Sequence, residues 1–114
     1  MQYYKTKLTK LVKNDLTDIG NYITYELKNP MAALNILQGI SKEIKSLEKF
    51  PKRNGLEQDM VFQDYNIYKV NHKGYKIYYL VDDENYIVYV VRIIHRLANN
   101  RIWVYHTYDF NEKK

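Results

Sequence analysis

The chain has no cysteine. Disulfides, thiol catalysis and cysteine-based zinc sites are therefore excluded. Its three histidines, His72, His95 and His106, lack the close spacing of a metal motif. No metal site and no cofactor is expected. Long apolar runs are also missing. The longest, Tyr86 to Val91, is too short to cross a bilayer. The N-terminal MQYYKTKLTK lacks the apolar stretch of a secretion signal. These absences lead to the expectation of a cytoplasmic protein with no membrane partner. Proline occurs twice and glycine four times, and no repeat or low-complexity segment is visible.

Tyrosine and positive charge are plentiful. Thirteen of the 114 residues are Tyr, and the hydrophobic fraction is 46%. That is enough apolar surface for one folded domain and too short a chain for two. Tyrosine joins a large ring to a polar tip, which suits half-buried sheets and interfaces. The formal net charge is +5. A basic surface favours anionic partners such as RNA, DNA or an acidic protein.

Periodicity divides the chain into a helical half and a strand half. Gln2 to Leu8 alternates and reads as a short strand, with Thr9 as a helix cap. Val12, Leu16, Ile19, Ile23 and Leu27 then recur at helical spacing and form one apolar stripe. Lys13, Asn14, Asp18 and Lys28 face water opposite it. Asn29-Pro30 opens a second helix, because proline fits the first turn. Ala33, Ile36, Leu37, Ile40, Ile44, Leu47 and Phe50 make its stripe, and Pro51 ends it. The two helices form an antiparallel hairpin. Residues 51–64 read as a charged loop.

Beyond the loop the period becomes two. Residues 66–71, 75–81 and 86–94 read as an antiparallel meander, turned at His72-Lys73-Gly74 and at residues 82–85. The last of these strands is expected to be buried on both faces. Ile102 to Tyr108 is a candidate edge strand in a C-terminal extension, residues 101–114. The expected fold is α+β in the order β-α-α-β-β-β, with the helical hairpin on one face of an antiparallel sheet.

Several segments in this order resemble the RelE/ParE superfamily of toxins from type II toxin–antitoxin systems. They are Asp15-Leu16 with Ile19 and Tyr22-Ile23, Asn29-Pro30 with Ala33, and Leu47 with Phe50-Pro51. They continue through Tyr75-Lys76-Ile77-Tyr78-Tyr79 and Val91-Arg92-Ile93-Ile94-His95. The resemblance spans roughly residues 2–100 and implies a single toxin domain over 1–100. It departs from the family at Lys76, where many relatives carry Arg. It departs again at Arg96-Leu97-Ala98-Asn99-Asn100 and in the tail to Lys114.

The resemblance implies a toxin neutralised by a cognate antitoxin in a hetero-oligomer, with one of two activities. RelE-like members are ribosome-dependent mRNA endoribonucleases, so their partners are the ribosome and mRNA. ParE-like members poison DNA gyrase without catalysis. A non-toxic interaction module of the same fold is a third reading.

Metal-free RNA cleavage through the 2′-hydroxyl needs a base, an acid for the leaving 5′-oxygen, and cations for the phosphate. On this reading Lys76, Arg92 and His95 are the catalytic candidates. Lys69, Lys73, Tyr75, Tyr78 and Arg96 are the RNA-binding candidates, since aromatic rings beside cations suit an unstacked base. The assembly is cation-rich, which places mRNA cleavage ahead of gyrase poisoning. Two tensions attend it. An arginine in an apolar strand is a natural ion-pair partner. Strict alternation also puts Arg92 and His95 on opposite faces unless a bulge lies between them.

Overall fold

The computed structural model describes residues 3–53, 56–62 and 65–95. The chain begins with β1 (Lys5–Leu8) and passes through Thr9 into α1 (Lys10–Asn21). The Thr9 hydroxyl accepts the Val12 N–H at 3.3 Å, satisfying one of the free donors of the first turn. A π-helical turn (Tyr22–Glu26) follows, and then α2 (Pro30–Ser46). Asn29 caps α2 by accepting the Ala32 N–H at 3.0 Å, with Pro30 in the first turn as its missing donor permits. A short 3-10 turn (Pro51–Arg53) leads to β2 (Leu56–Phe62), β3 (Tyr65–His72), β4 (Tyr75–Asp82) and β5 (Ile87–His95).

The strands form one five-stranded sheet in the order β1-β5-β4-β3-β2. Neighbours are antiparallel except β1 and β5, which run parallel. The helices lie on one face. Val12, Ile19, Ile23, Ala33, Ile40, Ile44 and Leu47 meet Ile77, Tyr79, Val81, Val88, Val90 and Ile93 there. Ile67, Tyr78, Leu80, Tyr89, Val91 and Ile94 form a second buried cluster, so β4 and β5 are buried on both faces. Among the described residues no helix is long and apolar enough to cross a membrane.

The α+β order holds, with three differences. Residues 56–62, expected in a loop, form β2 against β3. Their three consecutive acidic and amide residues break any alternation, and pairing with an existing strand supplies what periodicity does not show. The apolar stripe of the first helix stops early. The π-helical turn bonds the Leu27 N–H to the Tyr22 carbonyl at 3.1 Å, and its wider winding shifts the phase. Leu27 is consequently exposed. Phe50 is likewise exposed, because α2 ends at Ser46 and Phe50 takes a positive φ of 51°. The expected strand Ile102–Tyr108 lies outside the described residues.

His72 is more than a turn residue. Its imidazole fills a notch at Gly39 of α2, where an added Cβ would sit 2.1 Å from Nε2. Only glycine leaves room for that approach. The Nε2 atom is buried with no hydrogen-bond partner among the described residues, and Nδ1 is 4.0 Å from the Glu43 carboxylate.

Candidate functional site

The bulge that could gather the candidates falls in the wrong place. Tyr78 pairs with Arg92 and Tyr79 with Val90, which leaves Val91 as the extra residue of β5. The bulge therefore precedes Arg92 and does not lie between Arg92 and His95. Its effect is to reset alternation. Val88, Val90 and Ile93 pack on the helical side, while Tyr89, Val91 and Ile94 pack opposite.

Arg92 is held by α1. Its Nε donates to Asp15 Oδ2 at 2.8 Å and its Nη2 donates to Oδ1 at 2.7 Å. The Ile93 N–H adds a third donor to Oδ2 at 3.0 Å. Such a two-pronged fit uses the planar guanidinium fully. Both side chains are about nine-tenths covered, at 12% and 9% exposure. Burial pushes the Asp15 carboxyl above its ordinary value, while the Arg92 and Ile93 donors pull it back. A guanidinium neutralised in this way is a structural tie between helix and sheet.

The other candidates separate. His95 pairs with Tyr75 across β4 and β5, and their rings meet edge to face at 5.5 Å. Tyr75 packs against the helical-side cluster. Together with Asp18, Ile19 and Tyr22 they line a notch of about 340 Å³. Burial raises the Tyr75 phenol above its usual value, and the neighbouring Tyr22 adds to the rise. Lys69 pairs with Tyr78, and Lys76 pairs with Asn71 and Ile94. Alternation puts both lysines on the opposite face, with Tyr78 and Ile94. Tyr78, a candidate RNA-binding residue, is completely buried. Lys73 is exposed in the β3–β4 turn, at a φ of 45° before Gly74 at 85°. Arg96 lies outside the described residues.

The notch brings in two residues that the sequence did not single out for a site, Asp18 and Tyr22. Asp15 was legible only as part of a family pattern. Its position between Val12 and Ile19, on the buried stripe, was the available signal. A carboxylate in that phase requires a cation, and Arg92 in an apolar strand requires an anion. Among the described residues no group of His, Asp and Glu is placed to hold a metal ion.

A second polar network ties the far end of the sheet. Tyr4 donates to Asp83 Oδ1 at 2.7 Å, and Lys52 pairs with Asp83 Oδ2. Asp82 closes the β4–β5 turn by accepting the Glu84 and Asn85 N–H groups at 3.1 and 3.2 Å. Lys52, Asn66, Tyr68 and Asp82 to Glu84 line a shallow cavity of about 290 Å³ there. Among the described residues its one cation, Lys52, is paired with Asp83.

Comparison with known proteins follows the fold. The RelBE2 toxin–antitoxin complex from Mycobacterium tuberculosis contains a chain that superposes with a TM-score of 0.62 at 20% identity. That match covers 86% of this chain and 97% of that one. A chain of the chromosomal ParDE system from P. aeruginosa gives a TM-score of 0.64 at 18% identity, covering 82% and 96%. The archaeal RelE–RelB complex from Pyrococcus horikoshii gives 0.59 at 14%, covering 84% and 98%. At these identities the likeness is one of fold, and the fold is shared by both branches. No curated protein is significantly similar in sequence. The sequence pattern of the family described as the ParE toxin of the type II toxin–antitoxin system parDE matches residues 6–99. The chain therefore belongs to the ParE toxin family.

Proposed function

We propose that this chain arrests growth by the ParE route: it binds and poisons DNA gyrase through a protein–protein surface and carries out no bond chemistry itself. The Asp15–Arg92 pair carries this reading. Metal-free cleavage of RNA needs acid, base and cations converging on one phosphate. Here the arginine is buried and neutralised by a carboxylate. Lys69 and Lys76 lie on the sheet face opposite Tyr75 and His95. A protein-docking toxin needs no such convergence. The match to the ParE family pattern supports the same branch. This reverses the order expected from the sequence, which put mRNA cleavage first. A cognate antitoxin is the partner that neutralises the toxin, as in the toxin–antitoxin complexes of its structural relatives.

The competing reading retains one observation, the Tyr75–His95 pair beside an open notch. Induction of the chain without antitoxin separates the two. The gyrase reading expects filamentous cells with broken DNA, and inhibition of supercoiling when purified chain is added to purified gyrase. Rapid translation arrest with mRNA cut inside ribosomes, and normal supercoiling, overturns it. Absence of any growth defect favours the non-toxic module.

A further inference from the structure

We propose that the notch formed by Asp18, Ile19, Tyr22, Tyr75 and His95 receives an arginine side chain of the antitoxin. The proposal rests on the toxin–antitoxin reading, but not on which target the toxin poisons. Charge is the first argument. The chain carries a formal +5, yet the Asp18 carboxylate has no ion pair among the described residues. Its neighbour one turn earlier, Asp15, is fully engaged by Arg92. Asp18 is exposed at the rim of the notch, so this is an uncompensated negative charge on a positive molecule.

Shape and chemistry are the second argument. The walls are the rings of Tyr22, Tyr75 and His95, over the side chain of Ile19. Tyr22 is 55% exposed, so its ring is presented to solvent. Aromatic faces attract a cation, and a planar guanidinium stacks on them while pairing with a carboxylate. Lysine lacks the planar fork and fits less well. A nucleotide fits worse, because its phosphate meets Asp18 while Lys69 and Lys76 lie on the other face of the sheet.

The third argument concerns specificity. A partner of a basic toxin gains most from acidic side chains, which bind in many registers. One cation that must find one anionic notch fixes the register and rejects the wrong partner. Arginine is also the charged residue that interfaces favour in their desolvated centres.

The test is a titration of the purified full chain with N-acetyl-arginine amide, read on the ring resonances of Tyr22, Tyr75 and His95. The expected result is a saturable shift of all three, weaker with N-acetyl-lysine amide and absent with adenosine monophosphate. Asp18→Asn should weaken the arginine probe about three- to fivefold, as for a solvent-accessible ion pair. Tyr22→Ala should weaken it by a similar factor through the lost ring. Both positions are exposed, so thermal unfolding should be unchanged and serves as the folding control. In the purified toxin–antitoxin complex the probe should no longer shift these rings. No saturation, an equal response to adenosine monophosphate, an unaffected Asp18→Asn variant, or a full response in the complex would each overturn the assignment. Growth arrest is scored separately on the unaltered chain. Arrest without saturable binding sinks the notch and spares the toxin; binding without arrest does the reverse.

Discussion

Two of the ion pairs that fasten this sheet use the same chemistry and differ in everything else. Asp15–Arg92 joins α1 to β5 with both partners about nine-tenths buried. Lys52–Asp83 joins the 3-10 turn to the β4–β5 turn with both side chains 51% exposed. Burial raises the Asp15 carboxyl, whereas the Lys52 ammonium, with help from Tyr4, lowers the Asp83 carboxyl. The two acids therefore drive stability in opposite directions at low pH. The raised Asp15 favours folding increasingly as pH falls through its folded value towards the ordinary carboxylate range of about 3.9. The lowered Asp83 stabilises above that range, and its contribution is lost as pH falls through its folded value. An ion pair in a fold is thus a statement about solvent as much as about distance.

The largest expected effect breaks the buried pair from one side. Asp15→Ala removes the carboxylate that the Arg92 guanidinium and the Ile93 N–H share. Loss of one partner of a buried pair costs about 3–5 kcal/mol, to be measured by urea unfolding. A stabilised or neutral variant would mean that Arg92 finds water or another anion. Next comes Gly39→Ala, a second fastening of helix to sheet. Its Cβ would meet His72 Nε2 at 2.1 Å, so the imidazole must leave its notch. Overpacking of about 1–3 kcal/mol should exceed the helix-propensity gain of about 1 kcal/mol. An increase in melting temperature would show that His72 relocates freely.

Tyr79→Phe should cost about 1 kcal/mol. It removes a buried 2.6 Å hydrogen bond to the Pro51 carbonyl and leaves the ring stacked on Tyr68. Smallest is the exposed pair. Lys52→Ala should change stability by no more than about 1 kcal/mol, and less in high salt. A large salt-independent loss would erase the contrast between the two ends. That end also carries a spectroscopic marker. The bond to Asp83, then burial, pushes the Tyr4 phenol up to about 12. Its contribution is present below the ordinary tyrosine value of about 10 and is lost as pH rises towards 12. Ultraviolet titration of Tyr4→Phe should lack one phenol that titrates above the ordinary tyrosine range in the native chain.

The parts of the fold legible in the sequence were those with a strong period. The stripes at Val12–Ile23 and Ala33–Leu47 mark helices because one face meets an apolar sheet. The runs in β4 and β5 mark strands because both faces are buried. β2 was illegible because a segment without alternation that joins an existing strand needs no pattern of its own. The single residue Val91 was equally silent. A bulge depends on which residues oppose it, and this one reset the face of every later residue in β5. The grouping of the candidate residues depends on the packing of α1 and on the β5 bulge, which sequence alone does not show. Tyr75 and His95 lie edge to face, Arg92 is paired with Asp15, and Tyr78 sits in the second core. Asp18 was read correctly as facing water, but its place beside Tyr22, Tyr75 and His95 emerges only once α1 lies on the sheet.

Whether Arg92 serves structure or chemistry can be separated by a paired replacement, Asp15→Asn with Arg92→Gln. The pair stays hydrogen-bonded, the Ile93 N–H keeps an acceptor, and the charge disappears. Growth arrest on induction should match that of the unaltered chain, with a folded protein and intact mRNA. A double variant that folds but no longer arrests growth, beside a parent that cuts mRNA, would make Arg92 a working cation and contradict the account.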